Sequence, residues 1–444
     1  MSQKQPDARA IPVPSRRLSR LGQLGTMTAS IAGNMALNGV AQLGRGQRPS
    51  MQGLLLNPSN VRRVADQLAK MRGAAMKVGQ LMSMDTGEFL PPELAQIMAR
   101  LRDDAHFMPP AQLKQVLNKQ WPDRWLGAFK NFDVRPIAAA SIGQVHKARL
   151  KDGRELAIKV QYPGVAKSID SDVANVGALI RMSGLLPKGF ALSPYLEEGR
   201  KQLHEETDYT REAAQLARFG ALLSKEPAFV VPDVHHDWST PEILAMGFVP
   251  GLPIEQAANE TQETRDRIAT RLIDLALKEL FVFGVMQTDP NFANYLYQPQ
   301  TDRIVLLDFG ATRDIDPVIA ERYRKLMRAG LSNDTVAMMQ TAAEIGFIGS
   351  GTTDRQRSRI ERMMRGIFDA LRDKALFDFA DSTLSQQMQA EGMALAEDGF
   401  VPPPLPIDVL LLQRKLGGLF LLAARLKAKV DVLSLLARHL EPAP

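Results

Sequence analysis

The sequence predicts an α+β fold of two lobes that follows an N-terminal helical extension. Apolar residues recur at helical spacing between residues 60 and 85. A β-hairpin is indicated at residues 141–161, where Asp152-Gly153 separates two β-prone segments. Beyond Pro250 the sequence is mostly helical. At 444 residues, with 45% hydrophobic and 23% charged residues, the chain is long enough for two or three structural units.

Composition argues against several classes of site. The chain carries 55 basic and 49 acidic residues, and its net charge of +6 is too small and too dispersed to indicate nucleic-acid binding. Cysteine is absent, which excludes disulfides, thiol nucleophiles and thiolate metal sites. The six histidines do not recur at metal-ligand spacings, so we expect no zinc site.

Residues 1–50 are predicted to form a basic, weakly apolar arm. Arg16, Arg17 and Arg20 precede residues 21–44, a stretch without charge that is long enough to cross a bilayer but contains several amides and glycines. Two interpretations stay open, a mobile and partly helical arm or reversible contact with a membrane. A membrane-spanning helix is the less favoured form of that contact.

The helical extension is predicted over residues 51–125. Its first helix covers residues 60–85, with Ser59 as the N-cap. Two shorter helices follow at residues 91–104 and 109–121, each begun by a pair of prolines. The apolar stripe of the first helix consists of Val64, Leu68, Met71, Ala75, Val78 and Met82.

The first lobe is predicted over residues 126–250 and contains the hairpin. The second hairpin strand carries AIKV (157–160), whose Lys159 would be costly to bury without an anionic partner. We expect Glu212 to be that partner, with Glu206 and Asp208 as neighbours in the same helical segment, residues 204–219. Helical sequence extends from Pro163 to Lys225, and short strands are expected at residues 228–234 and 242–249.

The second lobe is predicted over residues 251–444 and carries two motifs. In DPNFAN (289–294) an aspartate is followed by an asparagine at the spacing D-x-x-x-x-N, and LLDFG (306–310) places Asp308 after an apolar strand. Near the end, residues 410–440 read as an amphipathic helical pair packed within this lobe. Four basic residues interrupt its apolar sequence, namely Arg414, Lys415, Arg425 and Lys427.

The order and mutual spacing of these motifs are hard to obtain by chance, and the D-x-x-x-x-N spacing matches the catalytic loop of kinases. Asp308 and Asn294 supply the hard oxygen ligands that Mg²⁺ prefers. Lys159 is suited to hold the α- and β-phosphates of ATP, and Asp289 to orient or deprotonate an acceptor hydroxyl or a water. The sequence therefore predicts ATP and Mg²⁺ as cofactors.

The hairpin opens with alanines where nucleotide-binding hairpins normally have glycines. Glycine permits positive φ and close approach of backbone amides to phosphates. We therefore expect Ala138, Ala139, Ala140 and Ser141 to hold a nucleotide differently from a glycine-rich loop. The alternative is an ordinary helix N-terminus capped by Ser141.

Taken together, these segments resemble the UbiB/ADCK (AarF-type) family of atypical kinases over roughly residues 50–430. The diagnostic motif of that family, K-x-G-Q, stands at Lys77, Gly79 and Gln80 ahead of the hairpin. The other matching segments are AAASIGQVHKA (138–148), AIKVQYPG (157–164), Glu206 and Asp208 with Glu212, TDPNFAN (288–294) and LLDFG (306–310).

The resemblance implies a protein-kinase-like fold whose helical extension covers the active site. It implies that Mg-nucleotide binds between two lobes, and that Lys77 and Gln80 join Lys159 and Asp289 as catalytic residues. Nucleotide-binding residues would be Ala138–Ala140, Ser141, Lys159, Glu206, Asp208, Glu212, Met246 and Phe248, and metal ligands Asn294 and Asp308. The chain departs from the usual pattern at Gln287, Thr288 and residues 291–293, which places the control of Asp289 in question.

The expected function is that of an ATP-dependent atypical kinase or ATPase supporting ubiquinone or other isoprenoid-lipid metabolism. The family implies a cytoplasmic protein peripherally associated with the inner membrane. Expected partners are membrane lipids or quinone precursors and ubiquinone-biosynthesis enzymes, and no nucleic acid. Two alternatives stay open, a nucleotide-gated lipid-binding module that transfers no phosphoryl group, and a small-molecule kinase. ATP hydrolysis in the presence of Mg²⁺ would discriminate the enzyme from the module.

Overall fold

The computed structural model describes residues 71, 73–75, 77–79, 107–140, 142–183, 192–403 and 405–440, except the side chains of residues 182 and 183. The chain divides into two compact units. Unit 1 comprises the described residues up to Ala214 together with Asp233–Phe248, and unit 2 comprises Gln215–Pro232 together with the described residues from Val249 onward. The domain limits predicted from the sequence, at residues 50, 125 and 250, remain predictions. The arm of residues 1–50 and the helix predicted over 91–104 lie outside the described residues.

The secondary structure follows in chain order. The helices are α1 (Pro110–Gln120), α2 (Val165–Ser183), α3 (Ser193–Glu206), α4 (Tyr209–Leu222), α5 (Gln262–Lys278), α6 (Pro317–Leu331), α7 (Thr335–Ile345), α8 (Asp354–Arg372), α9 (Thr383–Glu397), α10 (Ile407–Arg425) and α11 (Val432–Leu440). The strands are β1 (Phe129–Phe132), β2 (Ala138–Ala139), β3 (Gly143–Leu150), β4 (Glu155–Gln161), β5 (Phe229–Val230), β6 (Ile243–Gly247), β7 (Leu252–Pro253), β8 (Val285–Gln287), β9 (Tyr295–Gln298), β10 (Arg303–Leu306), β11 (Thr312–Asp314), β12 (Phe377–Asp378) and β13 (Lys429–Val430).

Unit 1 is built on an antiparallel sheet in the order β1-β3-β4-β6, with β2 paired to β3. The predicted hairpin is confirmed as β3 and β4. It turns at Gly153, whose φ of +99° is a value that glycine adopts without strain. Every residue of β4 after Glu155 is buried, so this central strand is covered on both faces.

A helical layer packs against one part of this sheet. Residues 73–75 and 77–79 are helical, as predicted. Met71, Ala75 and Val78 of the predicted stripe are buried in one core with residues of α2, α3 and α4. The segment 204–219 is not one helix as expected, because α3 ends at Glu206 and α4 begins at Tyr209. Gln161 donates to the carbonyl of Thr207 at 2.6 Å and so binds this break to β4.

Unit 2 is mainly helical and contains three small sheets within the described residues. One has the order β5-β10-β9-β7, and the others pair β8 with β11 and β12 with β13. Helix α5 leads into a π-helical turn, Glu279–Phe283, which ends at Gly284 with a φ of +62°. The strands β8 and β11 are not predictable from the sequence, because a segment of three residues is too short to show the alternation of apolar and polar residues.

The predicted C-terminal helical pair is present as α10 and α11. Val409 and Leu412 of α10 are buried in the core of unit 2 together with residues of α6, α7 and α8. Within the described ranges, no helix combines the length and apolar character that crossing a membrane requires.

Candidate functional site

Lys159 is held by a carboxylate inside unit 1. It lies in β4 and is only 7% exposed. Its Nζ donates to both carboxylate oxygens of Glu212 in α4, at 2.7 and 2.9 Å. The pairing expected from the sequence is therefore observed. A charge-assisted contact to both oxygens fixes the position of the ammonium group.

Lys77 is a second buried lysine of unit 1. It is 5% exposed and forms a salt bridge with Glu206 at the end of α3. Lys77 is therefore a buried side chain and not a surface one. Asp208 is exposed, and its Oδ1 accepts from the amide of Arg211 at 3.0 Å, so it caps the start of α4. Gln80, the predicted companion of Lys77, lies outside the described residues.

The alanine-rich segment forms an edge strand. Ala138 and Ala139 constitute β2 and pair with Val145 and Gln144. The alternative of a helix N-terminus is therefore wrong, and Ser141 lies outside the described residues. The amide of Ala140 donates to the carbonyl of Gly143 at 2.8 Å.

Gly143 is required by close packing beside this segment. A Cβ at this position would lie 2.5 Å from the Val160 carbonyl oxygen and 2.8 Å from the Tyr209 hydroxyl. Both distances are shorter than van der Waals contact allows, so no larger residue fits without displacing β4 or α4. The glycine thus allows β3 to pack closely against β4 and the start of α4.

The last two predicted nucleotide-binding residues lie at the end of β6. Met246 is buried and pairs with Ala157 of β4. The amide of Phe248 donates to the Glu155 carbonyl at 2.9 Å, and the Nζ of Lys147 lies 4.0 Å from the centre of its ring. Unit 1 therefore brings together these residues, the alanine-rich segment and the two lysine–glutamate pairs around one sheet.

Unit 2 brings Asn294 and Asp308 to one edge of a sheet. Strands β9 and β10 are antiparallel, and Tyr295 pairs with Leu306. Asn294 directly precedes β9, and Asp308 follows β10 by two residues, so both emerge at the same end. The amide of Leu307 donates to the Asn294 carbonyl at 3.0 Å and joins the two segments.

Asp289 belongs to the same edge. The preceding residue, Thr288, donates its hydroxyl to the Ala311 carbonyl at 2.7 Å, which binds the loop to the segment after Asp308. Oδ2 of Asp289 accepts from the Asn294 side-chain amide at 3.0 Å. Oδ1 accepts from the guanidinium of Arg414 at 2.8 Å. The three predicted residues of unit 2 therefore converge, and an arginine of α10 joins them.

A buried polar cluster lies behind Asp289. The Nζ of Lys415 donates to the side-chain oxygen of Gln287 at 3.2 Å and to the Tyr295 hydroxyl at 2.9 Å, and it lies 3.6 Å from Glu279. Burial alone would lower the pKa of Lys415, but the nearby carboxylate of Glu279 and the hydrogen bond to the Tyr295 hydroxyl outweigh burial and raise that pKa. Burial raises the pKa of Glu279, although Lys415 opposes the shift. Lys415 therefore carries its proton inside unit 2.

Sequence reasoning missed this cluster and Arg414. It interpreted Arg414 and Lys415 as breaks in an amphipathic helix, which predicts exposed charges. Instead Lys415 is 2% exposed, and the Arg414 side chain is 10% exposed. The available signal was the pair of adjacent charges followed by Gly417 and Gly418 in an otherwise apolar helix, since glycine permits close approach of another segment.

The donor set at the edge of β9 and β10 suits a magnesium ion. Asp308 offers a carboxylate, and its Oδ1 accepts from the amide of Gly310 at 2.9 Å, which orients the group. Asn294 uses its amide nitrogen to donate to Asp289, so its amide oxygen is the atom that can act as a ligand. Oxygen donors of this kind fit Mg²⁺ and not a soft metal.

Comparison with known proteins places this geometry among kinase-like folds. Residues 100–342 match the family model described as the ABC1 atypical kinase-like domain. Atypical kinase COQ8, mitochondrial, of Saccharomyces cerevisiae is 37% identical, with 94% of this chain and 83% of the relative covered. Atypical kinase COQ8B, mitochondrial, of Danio rerio is 36% identical, with 94% and 67% covered.

A solved structure shares the fold. The Rv3197–erythromycin complex from Mycobacterium tuberculosis superimposes with a TM-score of 0.61 at 26% identity, covering 84% of this chain and 95% of that one. With the family match, this confirms the predicted α+β, protein-kinase-like fold.

Proposed function

This chain belongs to the ABC1 family of atypical kinases, the UbiB/ADCK family that its motifs resemble, and we propose that it binds MgATP and turns it over in support of ubiquinone or other isoprenoid-lipid metabolism. The observation that carries the proposal is the buried pair of Lys159 and Glu212. Kinases require a lysine held in this way on a central strand to bind the α- and β-phosphates. A buried lysine–glutamate pair on its own adds little to the stability of a fold, because the free-energy cost of desolvating the two charges offsets much of their attraction. A ligand that needs the lysine explains why the pair is there.

The roles of the other residues follow from their chemistry. Asp308 and Asn294 hold Mg²⁺, whose charge offsets that of the phosphate oxygens. Asp289 accepts or orients the proton of the attacking hydroxyl or water. Ala138–Ala140, Ser141, Met246 and Phe248 contact the nucleotide, with Glu206, Asp208 and Glu212 as charged neighbours. These assignments are supported by the convergence of Asp289, Asn294 and Asp308 in unit 2.

Lys77 and Gln80 restrict the acceptor. Lys77 is buried against Glu206, so its helix is held to α3 by an ion pair as well as by apolar contacts. We propose that this helix occupies the space a protein substrate would need. The acceptor is then a water or a small lipid-like molecule, and the protein acts as an ATPase or small-acceptor kinase.

The cellular role follows from the family resemblance. We place the protein in the cytoplasm, peripherally associated with the inner membrane through the arm of residues 1–50. Its partners are membrane lipids or quinone precursors and the enzymes of ubiquinone biosynthesis. The net charge of +6 offers no basis for binding nucleic acid.

The test is ATP turnover by the Asp308→Asn variant. Removing one charged metal ligand is expected to lower kcat by about 100-fold or more. Hydrolysis by the full-length protein is measured with Mg²⁺ and with EDTA. Asp354→Asn, a change at an exposed position of α8, is the matched control and should retain wild-type turnover. Turnover of Asp308→Asn near wild type would refute the assignment. Tight MgATP binding by the wild type without turnover would favour the nucleotide-gated lipid-binding module.

A further inference from the structure

Helix α10 contacts the loop of residues 288–294 and both strands that flank it. Arg414 reaches Asp289 within the loop, and Lys415 reaches Gln287 before the loop and Tyr295 after it. All of these residues belong to unit 2. Two adjacent side chains of one helix therefore hold the start of the loop and the two residues that flank it.

The contact with Asp289 determines how its carboxylate is oriented. Arg414 donates to Oδ1 at 2.8 Å, and Asn294 donates to Oδ2 at 3.0 Å. With a donor on each oxygen, the carboxylate plane cannot rotate without breaking a hydrogen bond. The Arg414 contact joins two opposite charges, whereas Asn294 is a neutral donor, so the Arg414 contact is the stronger of the two.

The helix can approach this closely because of Gly418. A Cβ at Gly418 would overlap the ring of Pro290, the residue next to Asp289. Gly418 lies four residues after Arg414, so both face the loop from the same side of the helix. By contrast, a Cβ at the neighbouring Gly417 would meet nothing within 4 Å.

Stability alone does not account for these residues. The apolar side chains Val409, Leu412 and Leu419 already bury α10 in unit 2. Placing two cations beside them incurs a desolvation cost, and apolar residues of similar size are often as good or better for stability. The presence of Arg414 and Lys415 is therefore explained by their contacts with the loop and not by the packing of α10.

We propose that α10 is part of the active site and that Arg414 is the positioning residue for Asp289, fixing its carboxylate in the orientation that phosphoryl transfer needs. Lys415 and Gly418 hold the helix where Arg414 can do so. This inference rests on the proposed function, because it assigns Asp289 to the chemistry.

The experiment compares steady-state ATP hydrolysis by full-length variants, with nucleotide affinity measured separately by calorimetry. We expect Arg414→Ala to lower kcat by about 10- to 100-fold, with KM and Kd for ATP changed less than about threefold, because misplacing a catalytic group affects turnover more than binding. Arg414→Lys should recover part of the loss, since it restores the charge without the planar fork. Gly418→Ala should lower kcat without any change of charge.

Two matched variants on the same helix control for general effects. Gly417→Ala adds the same methyl group at a position with room for it. Arg425→Ala removes an exposed arginine from the last turn of α10. Both should keep wild-type kcat. Melting temperatures of all variants identify those that fold, and if Arg414→Ala does not fold, Arg414→Lys and Gly418→Ala decide the outcome.

Wild-type kcat in folded Arg414 and Gly418 variants would overturn the inference, and so would a loss confined to KM. Asp308→Asn is measured in the same series. If Asp308→Asn is inactive while the Arg414 and Gly418 variants are unaffected, only the inference fails. If Asp308→Asn turns over ATP at the wild-type rate, the proposed function fails.

Discussion

Lys415 is a charged side chain of helix α10 that is almost completely buried. It lies beside Glu279, which is 1% exposed, and it donates to Gln287 and Tyr295. Removing one member of a buried ion pair leaves the other charge in a medium of low polarity without compensation. The stability of unit 2 should therefore be sensitive to this one residue.

Lys415→Met is expected to lower the free energy of unfolding by about 3–5 kcal/mol, because it keeps the side-chain volume but removes the cation beside Glu279. Urea denaturation followed by circular dichroism measures the change. Lys325→Met, at an exposed position of α6, should alter stability by less than about 0.5 kcal/mol.

The double variant Lys415→Met with Glu279→Met separates a charge effect from a packing effect. It should be more stable than the single Lys415→Met variant by roughly 1–3 kcal/mol, because no buried charge is left unpaired. If the stability losses of the two single variants add up to the loss of the double variant, the two charges are not coupled.

The sequence predicted the buried pair of Lys159 and missed the buried site of Lys415. Lys159 sits in a short strand between apolar residues and requires a partner, and a glutamate on the following helical segment was available. Lys415 lies in a helix, where a basic residue ordinarily reaches solvent by its long side chain. Nothing local to α10 shows that Gln287 and Tyr295 cover that position, since these contacts join residues more than 100 positions apart.

Among the elements, the helical residues 77–79 and the end of α3 are joined by an ion pair. Lys77 pairs with Glu206, and the apolar residues around it are buried in the core of unit 1. Because Val78 and Ala75 already fix the helix in place, changing Lys77 should alter the chemistry more than the fold.

Lys77→Ala is expected to increase autophosphorylation severalfold and to change ATP affinity, because it removes the side chain that we propose restricts bulky acceptors. Transfer of labelled γ-phosphate to the protein and calorimetric titration with ATP and ADP measure these effects. Lys201→Ala, at an exposed position of α3, is the control and should match wild type. A Lys77→Ala protein identical to wild type in all three measurements would show that the helix is only a scaffold.

An element could be predicted where its own residues mark its beginning or its turn. The β3–β4 hairpin has an Asp-Gly turn, and α1 begins with prolines, so both were predictable. The break between α3 and α4 was not predictable, because no glycine or proline marks it. Asp208 caps α4 through the amide of Arg211, and this contact is visible only in the structure. The pairing of β8 with β11 depends on tertiary contact and left no pattern in three residues.

In the whole molecule, the proposed catalytic groups are divided between two units. Unit 1 carries the pairs Lys159–Glu212 and Lys77–Glu206, and unit 2 carries Asp289, Asn294 and Asp308. Phosphate binding by a lysine and metal binding by oxygen ligands are both needed for phosphoryl transfer. The proposed activity therefore requires both units, and the loss of either group should abolish it.

The most direct test of this account joins the chemistry to its cellular role. Cells from which the gene has been deleted are restored with wild type, with Asp308→Asn or with the control Asp354→Asn, and their quinones and lipids are quantified. We predict that wild type and Asp354→Asn restore ubiquinone and that Asp308→Asn, expressed at the same level, does not. Full restoration of ubiquinone by Asp308→Asn would contradict the claim that this protein acts through metal-dependent turnover of ATP.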